Sequence, residues 1–199
     1  SKNLGKFLQT YQHMLPADFI VLSDTANFDT GVPALTYQLR GICTIDVTVQ
    51  TIAQPVHSGM WGGPVPDPVQ ILCGLIAGLQ GKKGEIDVPG LYKQVAKTGK
   101  TQLQRIRKLP FSEVKFKREA RMMKGMKLAG EKGYSVYEQL WTRPSLVVIA
   151  FDARPIKGSS NQIIDHVTAR LSLRTVPNMD GRAAGKAIVK KLTAKPPYG

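Results

Sequence analysis

One stretch of this sequence combines a titratable side chain with a backbone that has few conformations open to it. Residues 54–68 contain four prolines and three glycines, which fix a specific, non-repetitive path. His57 lies near the start of this loop, after a segment that alternates like a strand and before an apolar segment that predicts a helix. A loop held between rigid elements and carrying an imidazole is a candidate functional site. Taken alone, the pattern favours the simpler alternative, a loop histidine whose ring is satisfied by local backbone groups.

Two more charged residues occupy positions at which a sheet could present them. Asp24 follows the apolar run 18–23, which predicts a buried parallel strand, and open α/β sheets hold ligands and metals at the carboxyl ends of such strands. With Thr25 and Asn27 beside it, Asp24 is also typical of a turn or cap, and spacing alone favours that interpretation. Arg174 lies on the polar face of an alternating strand, where a solvated arginine is the ordinary expectation.

The segments around these residues predict an α+β domain. Residues 37–52 and 167–174 alternate between apolar and polar side chains, as antiparallel strands with one buried face do, and residues 146–151 predict a buried strand. Helices are expected after Asp67 and after Asp180, because either carboxylate can cap a helix, and over residues 112–123, where the Ser112 hydroxyl can do the same. From residue 37 the order is strand, helix, insertion, strand, strand, helix. This is a ferredoxin-like β-α-β-β-α-β unit with an antiparallel sheet and without its last strand.

The part of the chain before this unit has a different character. Residues 1–34 predict a helix and a short strand of α/β type that lack the rest of their sheet. We therefore expect two parts, an incomplete α/β piece at 1–34 and the ferredoxin-like domain at 35–199. The second part should carry a helical insertion at about residues 84–141 and stop before its last strand. Both ends thus indicate a piece of a longer protein.

Length and composition exclude several classes of protein. A chain of 199 residues can bury one ordinary core. No apolar run reaches the roughly 18–20 residues of a membrane span, so we expect no membrane partner. Neither C-x-x-C nor H-E-x-x-H occurs. Cys43 and Cys73 lie in apolar patterns and are expected to be small buried side chains, which favours a reduced, cytoplasmic protein.

Positive charge is concentrated in one segment. The chain carries a net charge of +14, and residues 93–132 alone hold thirteen Lys or Arg against three acidic residues. Such a segment can bind phosphates, form a solvated helical face, or balance an acidic surface elsewhere in the protein. Few aromatic residues are interleaved with the charges, and no nucleic-acid-binding motif is present. We therefore expect no specific nucleic-acid partner.

Four motifs follow one another along the chain in a recognisable order. They are Ser-Asp-Thr at 23–25, Pro-Ala-Leu-Thr-Tyr-Gln-Leu-Arg-Gly at 33–41, His-Ser-Gly-Met-Trp-Gly-Gly at 57–63 and Arg-Thr-Val-Pro-Asn-Met at 174–179. Together they resemble the M20 family of metallopeptidases, and in particular its carnosinase-like dipeptidase branch. The resemblance covers almost the whole chain, and the basic segment matches it only loosely.

The resemblance implies a parent enzyme with two domains. A catalytic α/β domain would bind two divalent metals, usually zinc, and an inserted ferredoxin-like lid would form a homodimer. This chain resembles the lid together with the end of the catalytic segment that precedes it. The other metal ligands and the general base would come from sequence outside the chain. We therefore expect an active parent enzyme, and a fragment that is inactive and binds no catalytic metal by itself.

The resemblance also implies roles for individual residues. Asp24 resembles an aspartate that ligates one of the two metals. His57 resembles the lid histidine that reaches into the partner subunit's active site and stabilises negative charge on the scissile carbonyl oxygen. Arg174 resembles the arginine that grips the terminal carboxylate of the substrate. Asn161 stands where the family often has a small polar residue that contacts substrate.

The implied substrate is a small peptide or an N-acyl amino acid, cleaved at its amide bond. One alternative stays open at this point. A non-catalytic dimerisation or binding module could retain the lid fold without the chemistry, because the residues of the catalytic centre lie largely outside the chain.

Overall fold

A computed structural model describes residues 3–21 and 27–199, and the chain divides into two compact units, Ser1–Gln38 and Leu39–Gly199. In the first unit, helix α1 (Leu4–Tyr11) continues into a 3-10 helix (Gln12–Met14). The helix predicted for the N-terminal region is therefore confirmed. The Phe7 and Tyr11 rings lie on one face of it, with centroids 4.9 Å apart.

The prediction of a buried strand at residues 18–23 was wrong for the residues that the structure describes. Residues 18–21 form no strand, and residues 22–26, including Asp24, lie outside the described part of the chain. Phe19, Ile20 and Val21 are at least 80 % exposed. A buried parallel strand requires hydrogen-bonded neighbours on both sides, and the described chain offers this segment none.

The second unit contains the remaining helices and strands. They are β1 (Gly41–Gln50), β2 (Val56–His57), α2 (Ser58–Trp61), α3 (Pro68–Ala77), a 3-10 helix (Leu91–Gln94), α4 (Lys100–Arg107), α5 (Glu113–Glu119), α6 (Val136–Thr142), β3 (Ser145–Asp152), β4 (Gln162–Ile163), β5 (His166–Thr175) and α7 (Gly181–Thr193).

The long strands form an antiparallel sheet in the order β1-β5-β3. Strands β1 and β5 pair over their full length, from Gly41 opposite Thr175 to Gln50 opposite His166. This order is that of the first three strands of a ferredoxin-like unit, so the predicted α+β architecture is confirmed. Within residues 3–21 and 27–199, strand β3 pairs with β5 only, and its register shifts between Val148 and Ala150.

One face of the sheet is buried and the other is open, as the alternating sequence predicts. Val167, Ala169, Leu171 and Leu173 of β5 are completely buried under α3 and α7. Along the middle of the β1–β5 pair the opposite face is polar, with Thr48 bonded to Thr168 and Asp46 to Arg170 across the two strands. Because side chains alternate with a period of two, this burial fixes the register of the whole sheet.

The two helices that cover the sheet begin where the sequence predicts. Asp67 accepts hydrogen bonds from the Val69 and Gln70 N–H groups, and Asp180 does the same for the first turn of α7. Cys43 is half-buried beneath α7, but Cys73 is exposed, so its predicted burial was wrong. Leu72 lies on the buried side of α3, and Cys73, the next residue, points away from the sheet.

A half-buried ion pair lies in the segment between α3 and β3. The Arg143 guanidinium donates to both Glu131 oxygens, at 2.8 and 2.5 Å, and stacks between the rings of Tyr92 and Tyr134, each centroid 4.4 Å away.

Helix α5 begins at its predicted cap, Ser112. Among residues 3–21 and 27–199, none of the helices has the length and apolar composition of a membrane span.

A capping box starts α6 and ties it to α4. The Ser135 and Glu138 side chains each accept the other residue's backbone N–H, and Arg107 donates twice to Glu138. Burial is the largest single influence on Glu138 and raises its pKa. The Ser135 backbone N–H, the Arg107 guanidinium and the Ser135 side chain outweigh it, so the pKa lies below its usual range.

We expect Glu138→Gln to lower the free energy of unfolding by about 1–3 kcal/mol at neutral pH. The neutral amide weakens or loses several hydrogen bonds that the carboxylate makes with charge assistance. The folded-state pKa lies below that of the unfolded chain, so this contribution is present above the unfolded pKa and is lost as pH falls through the folded one. Thermal unfolding of the wild type and the variant should therefore converge at acidic pH.

The matched control is Glu119→Gln, because Glu119 is exposed on α5 and its contact with Lys115 is 3.9 Å long. Its effect should stay below about 0.5 kcal/mol, as for other surface pairs. A Glu138→Gln difference that persists undiminished at acidic pH would contradict this account.

Candidate functional site

A two-residue strand pair holds the loop histidine. Val56 lies opposite Ile163, and His57 lies opposite Gln162. Ile163 is buried and anchors this small ribbon, whereas the His57 side chain is exposed. Residues directly opposite one another in an antiparallel pair project from the same face, so His57 and Gln162 share a face.

The orientation of the imidazole is set by the backbone that follows it. The Gly59 N–H donates to Nδ1 of His57 at 3.1 Å, so His57 caps the short helix α2 with its own ring. An Nδ1 that accepts a hydrogen bond cannot carry the proton of a neutral imidazole. The proton then sits on Nε2, and the ring presents an N–H donor on its far side.

Glycine is required beside the ring. A Cβ on Gly59 would stand 2.9 Å from Cε1 and 3.2 Å from Nδ1 of His57. Gly62, one turn later, has the same character, because its Cβ would lie 2.4 Å from the Ser58 carbonyl oxygen. The glycines of the 57–63 motif thus allow a tight turn that folds the backbone onto the imidazole.

Asn161 lies directly beside this turn. The Ser58 N–H donates to the Asn161 carbonyl oxygen at 2.9 Å, one residue beyond the His57–Gln162 pair. The structure therefore brings together two of the residues singled out from the sequence, His57 and Asn161. Both side chains are exposed, where they can meet a ligand.

Arg174 occupies the opposite end of the same domain. It lies opposite Ile42 on one side and Ser145 on the other, next to the last residue of β5. The His57 ribbon adjoins the first residue of β5, His166. These two positions of β5, His166 and Arg174, are eight residues apart, roughly 26 Å at about 3.3 Å per residue. Within one chain, Arg174 is not brought together with His57 and Asn161.

A second arginine, Arg40, lies near Arg174. Burial, and then the positive charge of Arg174, lower the pKa of Arg40. Within the described ranges 3–21 and 27–199, neither guanidinium makes an ion pair. Two neighbouring uncompensated cations are suited to an anion such as a carboxylate. Sequence reasoning missed Arg40 although it lies within the 33–41 motif; its place immediately before β1 was the available signal.

Arg154, in the loop between β3 and β4, was also missed. Its Nη1 donates to Oε1 of Gln162 at 2.6 Å and to Oγ of Ser160 at 3.2 Å, which attaches the guanidinium to the ribbon that carries His57. Nothing in the local sequence distinguishes this residue from a solvated loop arginine. Only the fold brings it to Gln162.

A metal centre needs more ligands than this part of the protein supplies. Catalytic zinc takes about three protein ligands, and no group of three His, Cys, Asp or Glu side chains suited to a metal occurs in residues 3–21 and 27–199. Asp24, the metal ligand implied by the sequence, lies outside those residues. The described residues therefore do not form a catalytic metal site.

Comparison with known proteins identifies the class to which this fold and these residues belong. The peptidase dimerisation domain of the M20 family matches residues 37–199. The chain therefore belongs to the M20 peptidase dimerisation-domain family, as the sequence motifs predict.

Its relatives are dipeptidases. The chain is 29% identical over 196 residues to the cysteinylglycine-S-conjugate dipeptidase of Corynebacterium striatum, covering 98% of this chain and 41% of the relative. It is 28% identical over 176 residues to the human Beta-Ala-His dipeptidase, covering 88% of this chain and 34% of that protein. The chain thus spans about two fifths or less of the length of these relatives.

Solved structures support the same fold. The crystal structure of human carnosine dipeptidase 1 has a TM-score of 0.78 at 25% identity, over 96% of this chain and 40% of that one. The M20 metallo-carboxypeptidase Sso-CP2 of Sulfolobus solfataricus has a TM-score of 0.76 at 22% identity, over 96% and 50% of the two chains. At that identity, the second likeness bears on the fold alone.

The geometry around Gly59 predicts the tautomer of His57. In neutral solution, nitrogen-15 NMR of histidine-labelled protein should show His57 with its proton on Nε2, because Gly59 occupies Nδ1. Gly59→Ala should remove this preference, since the added methyl group displaces the ring. Exposed His166, which contacts Asp165 instead, is the internal control and should not change in that variant. A His57 ring protonated at Nδ1 in the unaltered protein would contradict this geometry.

Proposed function

We propose that this chain is the dimer-forming lid of a metal-dependent dipeptidase in which two subunits build each active site. One observation carries the proposal: the ribbon that holds His57 and Asn161 adjoins the first residue of β5, and Arg174 lies eight residues further along that strand, roughly 26 Å at about 3.3 Å per residue. A dipeptide spans only about 7 Å even when extended. It cannot touch both groups of one chain, but it can touch those of two chains that pair head to tail.

The chemistry of each end supports a separate role. The Nε2–H of His57 is a donor held in place by Gly59, so its orientation is fixed before any substrate arrives. Such a preorganised donor stabilises the negative charge that develops on a carbonyl oxygen during amide hydrolysis. Asn161, adjoining the same turn, would contact the substrate beside it.

The other end would bind the substrate in its ground state. A guanidinium offers a planar fork of donors that matches a carboxylate, and Arg174 has Arg40 beside it to add a second positive charge. We therefore assign the terminal carboxylate of a small peptide, or of an N-acyl amino acid, to Arg174.

The metals would belong to the rest of the parent enzyme. We propose that two divalent ions, both zinc, bind in a catalytic domain. Residues 1–34 would be the end of one segment of that domain, and Asp24 would be one of the metal ligands. When bound, they would supply Lewis-acid polarisation of the scissile carbonyl. The lid, at 35–199, contributes binding and orientation.

Dimerisation is proposed to use the free edge of β3. Four apolar side chains of this strand, Val147, Val148, Ile149 and Phe151, are each between 44 and 55 % exposed. Among the described residues, only one side of the strand is hydrogen-bonded in the sheet. An exposed apolar edge is a template for pairing with another strand, here one from a second copy.

Free thiols at Cys43 and Cys73 support a reducing, cytoplasmic location for the parent.

Steady-state kinetics of the full-length enzyme test these assignments. His57→Ala should lower kcat by about 10²–10³-fold, the usual cost of one oxyanion donor, with a smaller change in KM. Gly59→Ala should act in the same direction because it displaces the ring. Arg174→Ala should mainly raise KM, because it removes a contact made equally before and during the reaction.

Arg170→Ala is the matched control for Arg174→Ala. Arg170 lies four residues away on the same open face, but Asp46 neutralises it, so its loss should leave KM unchanged. A full-length protein without amide hydrolase activity, yet with normal dimerisation, would instead favour a non-catalytic dimerisation module. Equal effects of Arg174→Ala and Arg170→Ala on KM would contradict the assignment of the substrate carboxylate to Arg174.

A further inference from the structure

The loop between β3 and β4 places an additional positive charge beside the candidate oxyanion donor. Arg154 is bonded to Gln162, and Gln162 lies directly opposite His57 in the ribbon. Side chains opposite one another in such a pair have Cβ atoms about 4.5–5.5 Å apart on one face. The Arg154 guanidinium therefore lies one side chain away from the imidazole.

This arginine differs from the paired arginines of the domain in what it contacts. Arg107, Arg143 and Arg170 each donate to a carboxylate, which compensates their charge. The acceptors of Arg154 are an amide oxygen and a hydroxyl, both neutral, and both bond to Nη1. Within residues 3–21 and 27–199 its Nη2 and Nε groups have no hydrogen-bond partner. The side chain is thus oriented while its charge and half of its donor fork stay available.

The rest of the loop strengthens the positive potential. Residues 153–161 contain Arg154 and Lys157, both exposed, and no acidic residue. The contacts of Arg154 with Ser160 and Gln162 also close the loop, so the charge is held against the ribbon rather than free to move away. A fixed guanidinium binds an anionic group with less loss of conformational freedom than a mobile one.

We propose that Arg154 is a specificity residue that binds a side-chain carboxylate on the N-terminal residue of the substrate. The inference rests on the proposed function, in which His57 supports the carbonyl oxygen of that residue and Arg174 holds the other end of the peptide. A group adjoining His57 then faces the N-terminal residue. The preferred substrate class is a dipeptide that begins with an acidic amino acid.

The test compares two nearly isosteric substrates, Glu-Ala and Gln-Ala, with the full-length dimeric enzyme. Arg154→Gln should lower kcat/KM for Glu-Ala by about 10–100-fold, the effect of losing a charge-assisted hydrogen bond, and should change the value for Gln-Ala by less than about threefold. For Arg154→Lys, kcat/KM with Glu-Ala should lie between the values for the wild type and for Arg154→Gln, because lysine keeps the charge but lacks the planar fork. Arg170→Gln, which alters an arginine already neutralised by Asp46, is the control and should leave the ratio of the two substrates unchanged.

The outcomes separate this inference from the function on which it rests. If Arg154→Gln lowers kcat/KM equally for both substrates, Arg154 only supports the loop, and the inference is wrong. It is also wrong if neither substrate is affected while the wild type is active. A wild-type enzyme that hydrolyses no dipeptide would overturn the proposed function, and the inference with it. Selective loss of Glu-Ala hydrolysis supports both.

Discussion

The continuous pairing of β1 with β5 is the interaction on which the rest of the domain depends. Ten residue pairs run from Gly41–Thr175 to Gln50–His166, and the buried side chains on one face prevent any slip of register. The pairing separates two chemically distinct ends, one next to the His57 ribbon and the other at Arg174. Because a strand pair of this length is stiff, the distance between the ends is a property of the fold. The proposal of a shared active site follows from that distance.

The His57 end owes its geometry to backbone rather than to a network of side chains. A single N–H, that of Gly59, orients the ring, and the ribbon to Gln162 and the bond from Ser58 to Asn161 hold the turn in place. A backbone donor has no rotamer freedom of its own to lose, and its bond to Nδ1 leaves Nε2 free to face a ligand. The Arg174 end is different, because Arg40 and Arg174 are like charges that no carboxylate pairs with in the part of the chain that the structure describes. Such a pair of cations is suited to binding an anion.

Sequence reasoning succeeded where local rules determine the structure. The alternation of residues 37–52 and 167–174 predicted two strands and their faces, and the caps at Asp67, Ser112 and Asp180 marked helix starts, because both signals act over a few residues. It failed where distant partners decide. In the part of the chain that the structure describes, the run 18–21 has no neighbouring strand. Arg154 is a candidate only because the fold bonds it to Gln162 across a loop. Glu138 was missed although Ser135 stands three residues before it, a readable capping box; its burial and its bond to Arg107 could not be read from spacing.

Mixed dimers test the shared site most directly. Two differently tagged full-length chains are co-expressed and the heterodimer is purified, either His57→Ala with Arg174→Ala, or wild type with the double variant. Activity is measured at a substrate concentration well below KM, where the loss of either residue slows a site. If His57 acts on the partner and Arg174 on its own subunit, the first heterodimer contains one intact site and should show up to about half of wild-type activity, whereas the second contains no intact site and should show little activity. The reverse pattern, with activity only in the heterodimer that carries a wild-type chain, would contradict the account.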